Sequence, residues 1–146
     1  MTAADVHGPI DFVLLEFPGD RLTGSTARAL MDLVERGVVR VYDLLVIGKR
    51  QDGTVYLLDL DNPSAEQLGG FAEFAGARSG LLGDDDVGEA AGAMQADTVA
   101  ALIVYENTWA IPFVAAAREN GGEVIASARI PATDVMNALE TLDATV

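Results

Sequence analysis

The chain has 146 residues, half of them hydrophobic, a length that suits one domain with a core of its own. It has no cysteine, which excludes disulfides, thiolate metal sites and thiol catalysis. Its formal charge is −14, and the excess is lopsided: residues 1–50 carry seven acids and six bases, residues 51–146 sixteen acids and three bases. Such a surface repels phosphate backbones and anionic lipid, so nucleic-acid and membrane-surface binding are not expected.

Met1-Thr2-Ala3-Ala4-Asp5 has neither a basic start nor an apolar run, so no signal peptide is expected. Apolar stretches such as Val99 to Tyr105 are far shorter than the roughly 20 residues that span a bilayer. With cysteine absent, the expected location is the cytoplasm.

The first predicted strand is Ile10 to Phe17, nearly all apolar and so expected to be central and buried on both faces. Pro18-Gly19-Asp20 breaks it. Thr23 can cap a helix running to about Arg36, with Ala27, Leu30, Met31 and Val34 on one stripe and Gly37 as its stop. The second strand is Val39 to Ile47. Lys49-Arg50-Gln51-Asp52-Gly53 reads as a hairpin turn, since Asp-Gly tolerates positive φ. Thr54 to Leu60 returns antiparallel to the second strand, and Asn62-Pro63 or Ser64 opens a further helix, with Pro63 in its first turn.

Residues 68–94 carry seven glycines among many alanines. Gly76-x-x-x-Gly80 and Gly88-x-x-x-Gly92 would each align small residues on a helix face, permitting close backbone approach. Asp84-Asp85-Asp86 between them suits a helix N-terminus. A short helical hairpin is predicted here. Thr98 to Glu106 is again a nearly continuous apolar strand. A helix follows from Asn107-Thr108 to Gly121-Gly122, then a strand from Glu123 to Ile130. A closing helix is expected to turn Val135, Met136, Leu139 and Leu142 inward.

Two segments share one plan: strand, helix, glycine stop, strand. The predicted fold class is α+β, a ferredoxin-like sandwich of two β-α-β units with an inserted glycine-rich helical hairpin. One domain, 1–146, would comprise a first unit at 8–61, the insert at 62–97 and a second unit with the closing helix at 98–146. Both crossover helices are expected on one sheet face, leaving the other bare. The two unit-opening strands are expected side by side and parallel. Glu16 and Glu106 would then meet at matching strand ends, where open α/β sheets place ligands. Two close carboxylates would share a cation or raise one another's pKa. The plainer reading gives each glutamate to the N-terminus of its following helix.

No other catalytic or metal-ligating pattern stands out. His7 is the only histidine and precedes the first strand; Lys49 is the only lysine and sits at a hairpin. Neither place suits a general base or a desolvated amine. Asp59-Leu60-Asp61 lacks the glycine and closing glutamate of a calcium loop. No phosphate loop, nucleophile elbow or zinc-protease motif occurs. Trp109, at a strand-to-helix junction, is expected to pack into the core edge, or else to anchor a subunit interface.

The run Gly80-Leu81-Leu82-Gly83-Asp84-Asp85, Val99 to Glu106, and Gly121-Gly122-Glu123-Val124-Ile125 resembles a bacterial family of unknown function. Its members are often labelled predicted membrane or general-stress proteins and pair β-α-β units with a glycine-zipper hairpin. Gly8-Pro9-Ile10-Asp11 and Leu14-Leu15-Glu16-Phe17-Pro18 are similar to an actinobacterial branch. The resemblance carries no catalytic residues and implies a stress link. Glu73, Arg78 and the acidic turn depart from the zipper pattern and argue against membrane insertion.

The expected function is therefore that of a non-enzymatic cytoplasmic homo-oligomer without a cofactor or metal. Gly76, Gly80, Gly88, Gly92 and Trp109 are its candidate interface residues. The alternatives are a small-molecule or cation-binding module using Glu16 and Glu106, and an adaptor whose acidic half docks a basic protein.

Overall fold

The computed structural model describes residues 7–18, 24–61, 70–123 and 132–144. The predicted strand at 123–130 and the helix after Pro63 fall mostly or wholly outside them. The elements are β1 (Ile10–Pro18), α1 (Gly24–Glu35), β2 (Arg40–Lys49), β3 (Val55–Leu58), a 3-10 turn (Phe71–Phe74), α2 (Asp84–Ala93), β4 (Thr98–Glu106), α3 (Ile111–Glu119) and α4 (Ala132–Ala144). The fold is α+β. Among the described residues four strands form one antiparallel sheet in the order β1-β4-β2-β3.

Local chemistry sets the ends of these elements. Gly37 takes φ +73° after α1 and donates its N–H to Val34, a left-handed stop that a side chain would strain. At the β2–β3 turn Gly53 has φ +89°. There the Asp52 carboxylate accepts from the hydroxyl and N–H of Thr54, which holds its pKa below the ordinary carboxylate range.

β1 and β4 do lie side by side, but antiparallel. Ile10 stands opposite Glu106, and Pro18 opposite Thr98. β2 and β4 are antiparallel too, so β1 and β2 run parallel with β4 filling the slot between them. The expected parallel pair fails because of where the chain is delivered. α2 ends beside Lys49: the Lys49 ammonium donates to the carbonyls of Ala91 and Met94, and Asp97 N–H donates to Lys49 O. β4 therefore starts where β1 and β2 end and must run backwards.

Both faces of the sheet carry packing. On one, Ala27, Leu30, Met31 and Val34 of α1 lie over Leu44, Val46, Ala101 and Ile103, with Phe71 and Phe74. On the other, Val87, Ala90 and Met94 lie over Ile47, Ala100 and Leu102. The second face is thus not bare, because the glycine-rich segment supplies a helix to it. β4, paired on both edges and covered on both faces, buries every residue from Val99 to Val104. β1 is outermost in the described sheet, and its start is not buried: Ile10 is 49% and Phe12 58% exposed. α4 forms where predicted, but Val135, Met136, Leu139 and Leu142 are exposed rather than inward. No helix among the described residues is long and apolar enough to cross a membrane.

Candidate functional site

The structure separates the two candidate glutamates. The register places Glu16 opposite Ala100 and Glu106 opposite Ile10, six residues apart along β4, or roughly 20 Å at the usual strand rise. Each is already occupied. Exposed Glu16 accepts from Gln95 N–H at 2.7 Å and the Thr98 hydroxyl at 2.9 Å, which fastens the loop before β4. Glu106 is 2% exposed and accepts from the Gly8 N–H at 2.8 Å and from the Tyr42 hydroxyl. That bond, partial burial and the carboxylate charge raise the Tyr42 pKa above its ordinary value. A bulge between Val41 and Asp43 marks the position of Tyr42.

The glycine pairs behave differently from a helical hairpin. Only α2 forms; Gly76 and Gly80 lie in turns, Gly80 at φ +84°. Gly88 and Gly92 are on α2 but exposed, with no atom within 4 Å of where a Cβ would stand. Among the described residues nothing outside α2 itself packs against them. α2 is instead held at its ends: the Asp86 carboxylate accepts the Gly83 N–H, and Lys49 grips the carbonyls of its last turn. Leu82 N–H donates to the buried carboxylate of Asp43, which ties the approach to α2 to the sheet.

Trp109 is not in the core. It is 62% exposed, its Nε1 donates to Asn107 Oδ1, and Phe113, one turn further, is 77% exposed. Asn107 in turn donates to Pro9 O and to the Asp11 carboxylate.

One feature brings apolar surface and charge together. A groove of about 530 Å³ runs between α2 and the β1 side of the sheet. Leu14, Leu102 and Val104 line it from the sheet, Ile10 and Phe12 from the exposed start of β1, and Leu81, Leu82, Ala90 and Ala93 from the α2 segment. Its charged lining residues among those described are all acidic: Asp86 and Glu89 on α2, and Asp11, whose carboxylate turns to the Asn107 amide on the other face of the sheet. No lysine or arginine is among its described lining residues. Sequence reading missed this site because a continuous apolar run such as Ile10 to Phe17 looks buried throughout. The available signal was Asp11, a charge inside that run.

Fold and groove define a small acidic α+β protein with an open antiparallel sheet and an acid-edged apolar groove on one face. The chain belongs to DUF6325, a family of unknown function whose profile matches residues 6–146. This agrees with the resemblance to an uncharacterised family drawn from the sequence. No curated protein and no solved structure matches it.

Proposed function

We propose that the protein is a non-enzymatic docking module. Its groove would take a partner-protein segment in which an apolar side chain stands beside lysine or arginine. The observation that carries this reading is the groove's composition: an apolar floor edged by the carboxylates of Asp86 and Glu89, with no base among the described lining residues. Such a surface selects by charge as well as by apolar contact, and acidic or neutral segments gain less from it. The net charge of −14 extends the same preference over the whole surface. The non-enzymatic reading is supported by the residue inventory. Lys49 is engaged with helix carbonyls, and the two glutamates stand far apart with partners of their own. A cytoplasmic location fits a chain free of cysteine. The split β1-α1-β2 unit, with β4 between its strands, supports a ferredoxin-like sandwich. A stress-related role rests on sequence resemblance.

The test is an NMR titration with two synthetic amphipathic helical peptides, one Leu/Lys and one Leu/Glu. The Leu/Lys peptide should shift amides of Leu14, Leu81, Leu102 and Glu89. The shifts should weaken steeply with salt, since screening shortens from about 10 Å at 0.1 M to about 3 Å at 1 M. Leu81→Glu should abolish them, and the Leu/Glu peptide should do nothing. No response to the Leu/Lys peptide, or a response mapping away from the groove, would refute the reading.

Self-assembly is the second reading. The exposed side chains of Trp109 and Phe113, and of Val135, Met136 and Leu139 on α4, favour it. So does the open small-residue face at Gly88 and Gly92, although Asp85 and Glu89 are exposed on the same helix and oppose like-charged contact. Sedimentation that is unchanged by both Gly80→Leu and Gly88→Leu would count against a glycine-mediated interface.

A further inference from the structure

The sheet carries a second cavity, on the face opposite the groove. Side chains alternate along β1 and β4, so Leu14 and Leu102 point into the groove while Val13 and Ile103 point the other way. There, between α1 and the sheet, lies a space of about 310 Å³. Leu30 of α1 walls it. Phe71 and Ile103 stand among its lining at 0% and 2% exposure, so the space reaches the core. The space is half open to solvent, and the apolar side chains at its floor lack contacts on that open side.

Its chemistry differs from that of the groove. No charged side chain is among its described lining residues. The polar lining groups include Asn107 and Tyr105 of the β4 end. Asn107 is committed: its amide donates to Pro9 O and Asp11 Oδ2, and its oxygen accepts from Trp109 Nε1. The Tyr105 phenol can both donate and accept, and it has no hydrogen bond among the described residues. An ion seated here would give up part of its hydration without meeting a counter-charge among the described lining residues. An apolar molecule seated there would take this lining out of water and supply the contacts it lacks. At the roughly 30 Å³ that a water takes in the liquid, the space holds about ten non-hydrogen atoms.

We infer that this cavity is a binding site for a neutral, largely apolar small molecule of that size, bearing one hydroxyl or carbonyl group that pairs with the Tyr105 phenol. The probes that test it are 2-phenylethanol, ethylbenzene and phenylacetate, titrated separately into the full chain with methyl NMR as the readout. 2-Phenylethanol should shift the methyls of Val13, Leu30 and Ile103 saturably, and ethylbenzene should do so more weakly. Phenylacetate, charged at neutral pH, should not. Tyr105→Phe should weaken 2-phenylethanol about three- to tenfold, the worth of one hydrogen bond, and leave ethylbenzene unchanged. Val13→Phe, which fills the space, should abolish both. If that variant does not fold, the Tyr105→Phe ratio still decides. The inference is overturned if neither neutral probe shifts these methyls saturably, if phenylacetate binds as well as 2-phenylethanol, or if Tyr105→Phe weakens both neutral probes equally. It also fails if the shifts map only to Leu14 and Leu102 in the groove.

Discussion

The Tyr42 hydroxyl and the Glu106 carboxylate, 64 residues apart in the chain, meet in a hydrogen bond at the end of the sheet where β2 starts and β4 stops. Glu106 is nearly inaccessible to water and accepts its other bond from the backbone of Gly8. A buried carboxylate is tolerated when such donors replace its hydration. Arg40 lies over the Tyr42 ring at 5.4 Å and adds a cation–π contact.

Tyr42→Phe removes one of the two donors and should cost about 1–3 kcal/mol, measured by urea unfolding at pH 7. The pH dependence has a definite sign. The folded phenol pKa is raised, chiefly by the hydrogen bond to Glu106. Its contribution is therefore complete below the ordinary phenol value near 10 and is lost as pH rises through the higher folded value. The stability gap between wild type and Tyr42→Phe should be flat through neutral pH and close only in strong alkali. A gap that closes below pH 9 would contradict the assignment.

Glu16 and Glu106 should behave as independent residues. Each single Glu→Gln change weakens its own hydrogen bonds, to the loop before β4 in one case and to Tyr42 and Gly8 in the other. In a double-mutant cycle the coupling should stay within about 0.5 kcal/mol, as for sites far apart without shared partners. Coupling above 1 kcal/mol, or metal binding lost in both single variants, would restore the shared-site idea.

Lys49→Met keeps the apolar stem but removes the ammonium that donates to Ala91 O and Met94 O at 2.8 and 3.0 Å. The loss should be about 1–2 kcal/mol, from two charge-assisted bonds and the helix-end charge. Hydrogen exchange should quicken across α2 and the following turn while α1 stays unchanged. Uniform quickening would mean that Lys49 supports the whole fold rather than this one dock.

Two glycines should respond oppositely to alanine. A Cβ at Gly8 would stand 2.0 Å from the Asn107 carbonyl oxygen, a backbone atom that cannot step aside. Gly8→Ala should unseat residues 7–9, strip Glu106 of a donor and lower stability by about 1–3 kcal/mol. Gly88 is mid-helix with open space around it, so Gly88→Ala should stabilise by about 0.5–1 kcal/mol. Calorimetric melting of both variants tests this, and a destabilised Gly88→Ala would show a contact on the outer face of α2.

Much of the element order was legible in the sequence. The stripe Ala27, Leu30, Met31 and Val34 gave α1 and its buried side, Asp52-Gly53 gave the hairpin, and the apolar run Thr98 to Glu106 gave the central strand. Strand direction was not legible. An apolar run fixes which residues are buried but reads the same in either sense, so β4 could be oriented only by knowing that α2 ends at Lys49. The same limit hid the sites. Glu106 looked like a strand-end acid because its donors lie 64 and 98 residues away in the chain. Ile10 and Phe12 looked buried because no local pattern says that β1 would be outermost in the described sheet. Trp109 looked like core because its size, rather than its surroundings, was all the sequence offered.

The antiparallel insertion of β4 between two parallel strands has a bearing on how the chain is made. When a ribosome has released β1, α1 and β2, the strand that pairs with both is still unmade, which leaves a one-strand gap between their places in the sheet. Nothing can fill that gap until residues 50–97 and then β4 emerge. The strand that joins the halves is thus a late arrival, and its ladder closes contacts of long sequence separation, the kind that slow folding. Until then Ile47, whose packing partners lie on α2 and β4, stays uncovered, and chaperone traffic should concentrate on that nascent state.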